Sequence, residues 1–472
     1  MVRELERVRQ NSKFPETAPA GLPVFFRTYS RRTEAGRETW EEVCARSVRG
    51  LTKLGKLTPE ETALLERMQL HLKALPSGRW LWVGGSEWIE QQQNFSGAYN
   101  CTSTNVLDWR AFGLMMDLAM MGCGTGAVLE PKYINQLPPI RNRLNVTIQG
   151  DVGSTQPHLR REQTEVQVEG NKVLIYVGDS RQGWVKSYQT LLELSTDEQF
   201  SEEVNISIDL SDVRAAGEPL KGFGGVANPV KLPGLYERCA AILNKAVGRQ
   251  LNSVECCLLI DEAAVVVVAG NVRRSAGMRQ GISDDELFAS AKGNLWQQDE
   301  NGNWRIDPDR DALRMANHTR VFHHKPTLEE CVEAVRKQYY SGEGAIQWAG
   351  EAIARANCDL LFSPELKTDF LKAYDQGKAQ DWLLEHYPNI DPLEIEHRLA
   401  RVGLNPCGEI IGSNFHCVSG DTLLITRDGM GKIKDVIGSE VEIWNGQRWS
   451  QVAPFKTGSD RKLYRVRFGD GS

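Results

Sequence analysis

The sequence predicts an α/β chain with a largely parallel sheet or barrel, preceded by a helical region and followed by an all-β block. Three observations predict it. β-branched runs such as VLIYV (173–177) and AAVVVVAG (263–270) read as strands lying among amphipathic stretches. Several of those stretches open on capping boxes, and apolar strands that alternate with helices imply a parallel sheet covered on both faces. From residue 417 onward the pattern changes to short strands and turns (RDGMG, WNGQRW, FGDGS).

Residues 1–90 read as helical and supportive. At Thr58-Pro59-Glu60-Glu61 a helix starts, with Thr58 as cap, Pro59 in the first turn and Glu61 completing the box, and it stops before Pro76-Ser77-Gly78. Further boxes are expected at Ser283 to Glu286 and at Thr327 to Glu330. Between Glu130 and Gly183 the chain turns polar and Arg-rich (PHLRREQTEVQVEGNKVLIYVGDSRQGW), with Gly and Asn turns. This reads as an insertion carrying an additional site; the plainer alternative is a solvated hairpin excursion. Residues 405–416 are the candidate catalytic loop, and no internal repeat or low-complexity tract interrupts the chain.

A length of 472 residues allows about three domains or one large barrel. The formal charge of −6, with no dominant basic run, argues against nucleic acid as a partner. The amino terminus MVRELERVRQ is charged and the longest apolar run is too short to span a bilayer, so a cytoplasmic protein without a membrane partner is expected. Ten cysteines without a CxxC pair do not form a secreted disulfide framework or a zinc site. Cys256 and Cys257 sit in an apolar run, and Cys44, Cys239, Cys331 and Cys358 lie at helical spacing, so all six are expected in the core.

Chemistry concentrates in NPCGE (405–409), where Asn405, Cys407 and Glu409 share one turn. Alone it is a turn-forming stretch with a cysteine. It gains weight beside YNCTSTNV (99–106), with a second cysteine after a loop, and MMGCGTGAV (120–128), with a glycine-rich turn after a helix. Together these segments resemble the large catalytic subunit of ribonucleotide reductases. IDLSDVR (208–214), GFGGVANP (222–229), AGNVRRSA (269–276) and SGEGAIQWA (341–349) look like successive strands and loops of that family's ten-stranded α/β barrel. GSNFHC after NPCGE and DSRQGW (179–184) are most similar to the adenosylcobalamin-dependent, monomeric ribonucleoside-triphosphate reductases. The resemblance covers about residues 75–416.

The resemblance implies a thiyl-radical reduction of ribonucleoside triphosphates to 2′-deoxyribonucleoside triphosphates. Cys407 matches the thiyl position, Glu409 the general base for the 3′-hydroxyl, and Asn405 a substrate hydrogen-bonding residue. Cys101 matches one thiol of the redox pair that supplies two electrons. Asn100, Gly122 and Gly124 fall at the substrate, the glycines admitting close backbone approach, with Cys123 a packing residue. The implied partners are a deoxynucleotide effector at the insertion and a thioredoxin-type reductant. The implied cofactor is adenosylcobalamin, its site expected in a carboxy-terminal part beyond this chain.

CVSGDTLLITRDGMGKIKDVI, from Cys417, closely resembles the first block of an intein. Cys417 would be the splicing nucleophile, and the second redox cysteine would begin the downstream extein. The chain is then expected to stop before the rest of the intein and the carboxy-terminal extein. The expected organisation is a helical region at 1–90, an incomplete catalytic barrel at 91–416 with its effector-type insertion at about 130–183, and an amino-terminal intein fragment at 417–472. Three alternatives stay open: an iron-dependent or other radical reductase on the same barrel, a non-enzymatic splicing-precursor half or nucleotide-binding remnant, and a small β-domain of the reductase at 417–472.

Overall fold

A computed structural model describes residues 14–33, 36–55, 57–91, 94, 97–220, 227–269, 276–341, 343–408, 411–412, 423–427, 429–444 and 449–452. The chain divides into two units, one built from residues 1–100 with 220–225 and 465–472, the other from 101–219 with 226–464.

In the first unit, helices α1 (Trp40–Gly55), α2 (Pro59–Leu70) and α3 (Gly78–Val83) surround a small aromatic core of Phe25, Trp40, Val43, Cys44 and Leu81. The Thr58 capping box is formed as its sequence predicts, with Glu61 N donating to the Thr58 hydroxyl and Thr58 N to the Glu61 carboxylate. Arg46 is buried, but both edges of its guanidinium are used, on Glu38 at 2.7 Å and on the Gly84 carbonyl at 2.6 Å.

The second unit is organised by a five-stranded parallel sheet. After β1 (Cys101–Asn105), Asp108 caps α4 (Trp109–Met120), which returns the chain to β2 (Gly124–Val128). There the chain leaves for the insertion, a sheet of β3 (Arg143–Gln149), β4 (Glu165–Glu169), β5 (Lys172–Tyr176) and β6 (Glu203–Asp209) in the order β3-β6-β5-β4. Its inner positions Leu144, Val173, Ile175, Val204, Ile206 and Ile208 are buried with α5 (Arg181–Leu194) and α6 (Leu232–Lys245) in one core, while the edge strand β4 is exposed throughout. Thus the excursion runs past residue 183, because β6 is needed to pair with both β3 and β5. IDLSDVR accordingly begins in the insertion's sheet and not in the five-stranded one.

α7 (Ser253–Ala269) then leads to β7 (Gly277–Ile282), α8 (Glu286–Ser290) to β8 (Asn317–Phe322), and α9 (Leu328–Ser341) to β9 (Ala345–Trp348). The order is β9-β8-β7-β2-β1, all pairs parallel. Helices α10 (Ala349–Ala356), α11 (Pro364–Asp375), α12 (Ala379–His386) and α13 (Pro392–Leu399) contribute to a second core with Val321. A short hairpin, β10 (Gly403–Leu404) with β11 (Ile411–Gly412), follows. The described part of the last block is an antiparallel sheet of β12 (Leu423–Thr426), β13 (Gly429–Lys432), β14 (Val441–Trp444) and β15 (Trp449–Val452), ordered β13-β12-β14-β15. Among the described residues no helix is long and apolar enough to cross a membrane.

Three local expectations are corrected. AAVVVVAG is not a strand: its described residues end the 17-residue α7, which starts on a reciprocal Asn252–Glu255 box. Residues from Cys256 to Val267 are buried on nearly every side of this helix, so no amphipathic period marks it and its β-branched composition misleads. The cap of α8 is Asp285, whose carboxylate accepts from Phe288 N, and Ser283 bonds to Asp284 instead. Cys358 is exposed at the turn after α10 and Cys331 only half-buried, whereas Cys44, Cys239, Cys256 and Cys257 are core. The Thr327–Glu330 box forms as expected.

Candidate functional site

Two thiols separated by 306 residues meet at the start of β1. Cys101 Sγ lies 3.1 Å from Cys407 Sγ, the first buried at the beginning of its strand, the second exposed in the turn after β10. Both are free cysteines.

The turn is built from its own sequence. Gly408 N donates to the Asn405 carbonyl at 2.9 Å, and Gly408 takes φ +74°, a conformation that glycine adopts without the steric cost of a Cβ. Pro406 stiffens the reversal, and Asn405 is fully buried beneath it. The sheet is shaped to receive this loop. A Cβ on Gly126 would stand 2.5 Å from the Leu404 carbonyl oxygen, and one on Gly124 would stand 2.9 Å from Cys101 Sγ and 3.2 Å from Pro406. The glycines of GCGTG therefore admit the loop and the Cys101 thiol. Gly122, at φ +74°, closes α4 into this turn, and Cys123 is wholly buried, as expected of a packing residue.

Two buried glutamines hold the loop's approach. Gln280 on β7 forms an amide clamp on Leu404, its Oε1 accepting from Leu404 N at 2.8 Å and its Nε2 donating to Leu404 O at 3.0 Å. Gln347 on β9 donates to Val402 O at 2.6 Å. Under the sheet, Arg279 and Asp261 form an ion pair of 2.6 Å with both side chains wholly buried, and Arg279 also donates to the Thr125 carbonyl at 2.8 Å. Burial pushes the Asp261 carboxyl above its ordinary range, with Arg279 opposing that shift. Sequence reasoning missed Gln280, Gln347 and Arg279. Their signal was available: two polar residues inside the short strand GMRQGI and one inside AIQW.

At the opposite ends of the strands, Glu130 follows β2 and His323 follows β8. His323 Nε2 is 2.9 Å from Glu130, its Nδ1 is 3.1 Å from the Tyr374 hydroxyl, and Lys132 adds an ion pair of 3.0 Å to Glu130. The Glu130 carboxyl is held below its ordinary range: burial would raise it, but His323 and Lys132 together prevail.

The insertion is tied by charge. Arg160 pairs both carboxylate oxygens of Glu218 (2.7 and 2.9 Å), Arg214 pairs Asp179 (2.8 and 3.0 Å), and Arg161 pairs Asp212 (2.7 Å). The hydrogen bonds from Arg160 hold the Glu218 carboxyl down at about 2.

Of the residues singled out by sequence, the structure brings together Cys101, Gly124, Asn405 and Cys407. Asn100 ends the first unit, where its Oδ1 accepts from Arg79 Nε at 3.0 Å. Glu409 and Cys417 lie outside the described residues, as do most of GFGGVANP and AGNVRRSA.

Comparison with known proteins adds a family context. Residues 144–239 match the family model described as the insertion domain of B12-dependent ribonucleotide reductase. An adenosylcobalamin-dependent ribonucleoside-triphosphate reductase of Levilactobacillus brevis is 29% identical over 323 residues, 59% of this chain and 43% of that protein. A probable enzyme of the same description from Dictyostelium discoideum is 29% identical over 324 residues, 64% of this chain and 39% of that protein. The chain thus spans less than half the length of these relatives. A crystal structure of a B12-dependent (class II) ribonucleotide reductase shares the fold with a TM-score of 0.52 at 22% identity, over 64% of this chain and 45% of that one. Over these regions the chain is similar to adenosylcobalamin-dependent, class II ribonucleotide reductases.

Proposed function

We propose that this chain is the amino-terminal part of an adenosylcobalamin-dependent ribonucleoside-triphosphate reductase, which converts ribonucleoside triphosphates to 2′-deoxyribonucleoside triphosphates. The observation that carries the proposal is the 3.1 Å approach of Cys101 and Cys407 on a loop seated against a parallel sheet. The fold likeness and the relatives' printed activities support it.

In this reading the five described strands are half of a ten-stranded barrel, and Cys407 is the residue that takes the 3′-hydrogen. Its exposure at the tip of a rigid loop suits a thiol that must meet both a radical source and a sugar. Adenosylcobalamin, when bound, supplies that radical, and we place its site in the part of the relatives that this chain does not span. Glu409 removes the 3′-hydroxyl proton, Asn405 orients the substrate, and the 2′-hydroxyl leaves as water. Cys101 and a downstream cysteine supply two electrons and two protons and close into a disulfide, which a thioredoxin-type dithiol reopens. The amide clamp of Gln280 and the single bond from Gln347 position the loop through groups that do not titrate. The insertion holds the deoxynucleotide effector, and the enzyme acts as a monomer.

The residues from Cys417 onward we read as the start of an intein, supported by the sequence resemblance and by the separate antiparallel sheet of β12–β15. Cys417 would attack the His416 carbonyl, giving a thioester and freeing the Cys417 amine, and the first cysteine of the following extein would capture it.

The test is a completed, spliced enzyme assayed with ribonucleoside triphosphate, adenosylcobalamin and a dithiol. Deoxynucleotide formation is expected, and peptide mapping after one turnover without reductant should find Cys101 in a disulfide with the downstream cysteine. Cys101 remaining a free thiol after stoichiometric product formation would remove it from the mechanism. For splicing, Cys417→Ala in a precursor supplied with the remaining intein should block ligation; unimpaired ligation would end the intein reading.

A further inference from the structure

A cavity of about 460 Å³ lies between β8, α8 and α9, lined by residues that include Phe288, Lys292, His318, Arg320, Arg336 and Tyr340. It is separate from the thiol site. Thr319 is the register partner of Gln280, which clamps the catalytic loop, so His318 and Arg320 lie on the other face of β8.

Two side chains in the cavity have buried nitrogens without a hydrogen-bond partner among the described residues. Arg320 has Nε and one terminal nitrogen buried with no hydrogen-bond partner among the described residues, and these two N–H groups form one edge of the guanidinium fork. His318 is 5% exposed and stacked on Phe288 at 4.8 Å, and its Nε2 likewise has no partner among the described residues. Lys292 is engaged, donating to Glu343 at 2.7 Å and to the Ala316 carbonyl. Arg336 and Lys337 are paired with Glu333 at 3.7 and 3.8 Å. Four cationic side chains stand against the carboxylates Glu286, Glu333 and Glu343, a formal excess of one positive charge.

Buried N–H groups are almost always paired, and an arginine edge presents two parallel donors at the spacing of two phosphate oxygens. We propose that this cavity is an anion site that takes a phosphate group, held by the Arg320 fork and His318 Nε2, with Lys292 and the α9 cations supplying the field. The phosphate belongs to inorganic phosphate or polyphosphate or to the tail of a nucleotide; the cavity has room for either. The proposal stands independently of the thiol chemistry.

Calorimetric titration of the 472-residue chain with inorganic phosphate, tripolyphosphate and ATP tests it. Saturable binding of at least one of the three is expected, with a Kd on the order of 1 mM or lower. Arg320→Gln should weaken it about tenfold or more, and Arg320→Lys, which keeps the charge but loses the fork, should weaken it less. Where Arg320→Gln weakens both ligands, ATP binding much tighter than tripolyphosphate assigns the site to a nucleotide, and equal affinities assign it to the phosphate chain. Should Arg320→Gln not fold, the Arg320 Nε resonance of the wild-type chain must still shift during the titration. Absence of saturable binding, an unchanged affinity in folded Arg320→Gln, or an unmoved Arg320 resonance overturns the proposal.

Discussion

The thiol loop and the insertion sheet are held by opposite means. Around Cys407 the ties are neutral: a glutamine clamp on Leu404, a second glutamine on Val402, and glycines that let backbone touch backbone. Around β4–β6 they are ionic, with Arg160, Arg161 and Arg214 each committed to a carboxylate. Neutral clamps fix a short loop with groups that do not titrate, whereas ion pairs fix an insertion in a way that pH and salt can loosen. The arginines of the insertion are already neutralised by the carboxylates they hold.

The contrast can be broken most sharply at Cys407. In the completed enzyme Cys407→Ala should reduce turnover on the order of 10³-fold or more while leaving the far-UV spectrum unchanged. Normal multiple-turnover activity would place the chemistry elsewhere.

The next effect in size lies beneath the sheet. Asp261→Leu strands a wholly buried Arg279 and should destabilise the protein by about 3–5 kcal/mol, while adding Arg279→Met should recover much of the loss. Denaturant unfolding of the single and double variants measures this, and equal losses in both would mean that the charge pairing is not what matters there.

Gln280→Leu removes both bonds to Leu404 and should cost about 1–3 kcal/mol. It should also slow oxidative joining of Cys101 to Cys407, because the loop no longer presents its thiol at one distance. A variant with unchanged cross-linking kinetics would show that Pro406 and the glycines position the loop unaided.

The smallest effect tests the ionic region. The folded Glu218 carboxyl is lowered to about 2 from 4.5, so its contribution to stability is complete above pH 4.5 and is lost as pH falls toward 2. Glu218→Gln should therefore lower the melting temperature at pH 6 and approach the wild type near pH 2. The side chain is partly exposed, so the difference should stay within about 1 kcal/mol. Parallel curves across that range would remove Glu218 from the account.

Much of this was legible in the residues. The capping boxes at Thr58 and Thr327, the strand VLIYV and the Arg-rich insertion follow from local chemistry that tertiary structure did not override. AAVVVVAG was misread because a helix buried on nearly every side carries no periodic signal, and β-branched residues then argue for the wrong element. The role of Gly124 and Gly126 was half legible: a need for close approach is written in the glycines, but that the loop of Leu404 to Pro406 is what approaches is not.

The sequence by itself determined the capping boxes and the tight turn around Cys407, since caps and turns are properties of residue types and their neighbours in the chain. Only the tertiary structure decided that Cys101 and Cys407 lie 3.1 Å apart, that Gln280 and Gln347 hold the loop between them, and that Arg320 and His318 converge on a cavity away from it. The physical reason is that strand register and the alternation of side chains across a sheet choose the face on which each group emerges, and register is fixed by pairings between segments far apart in the chain.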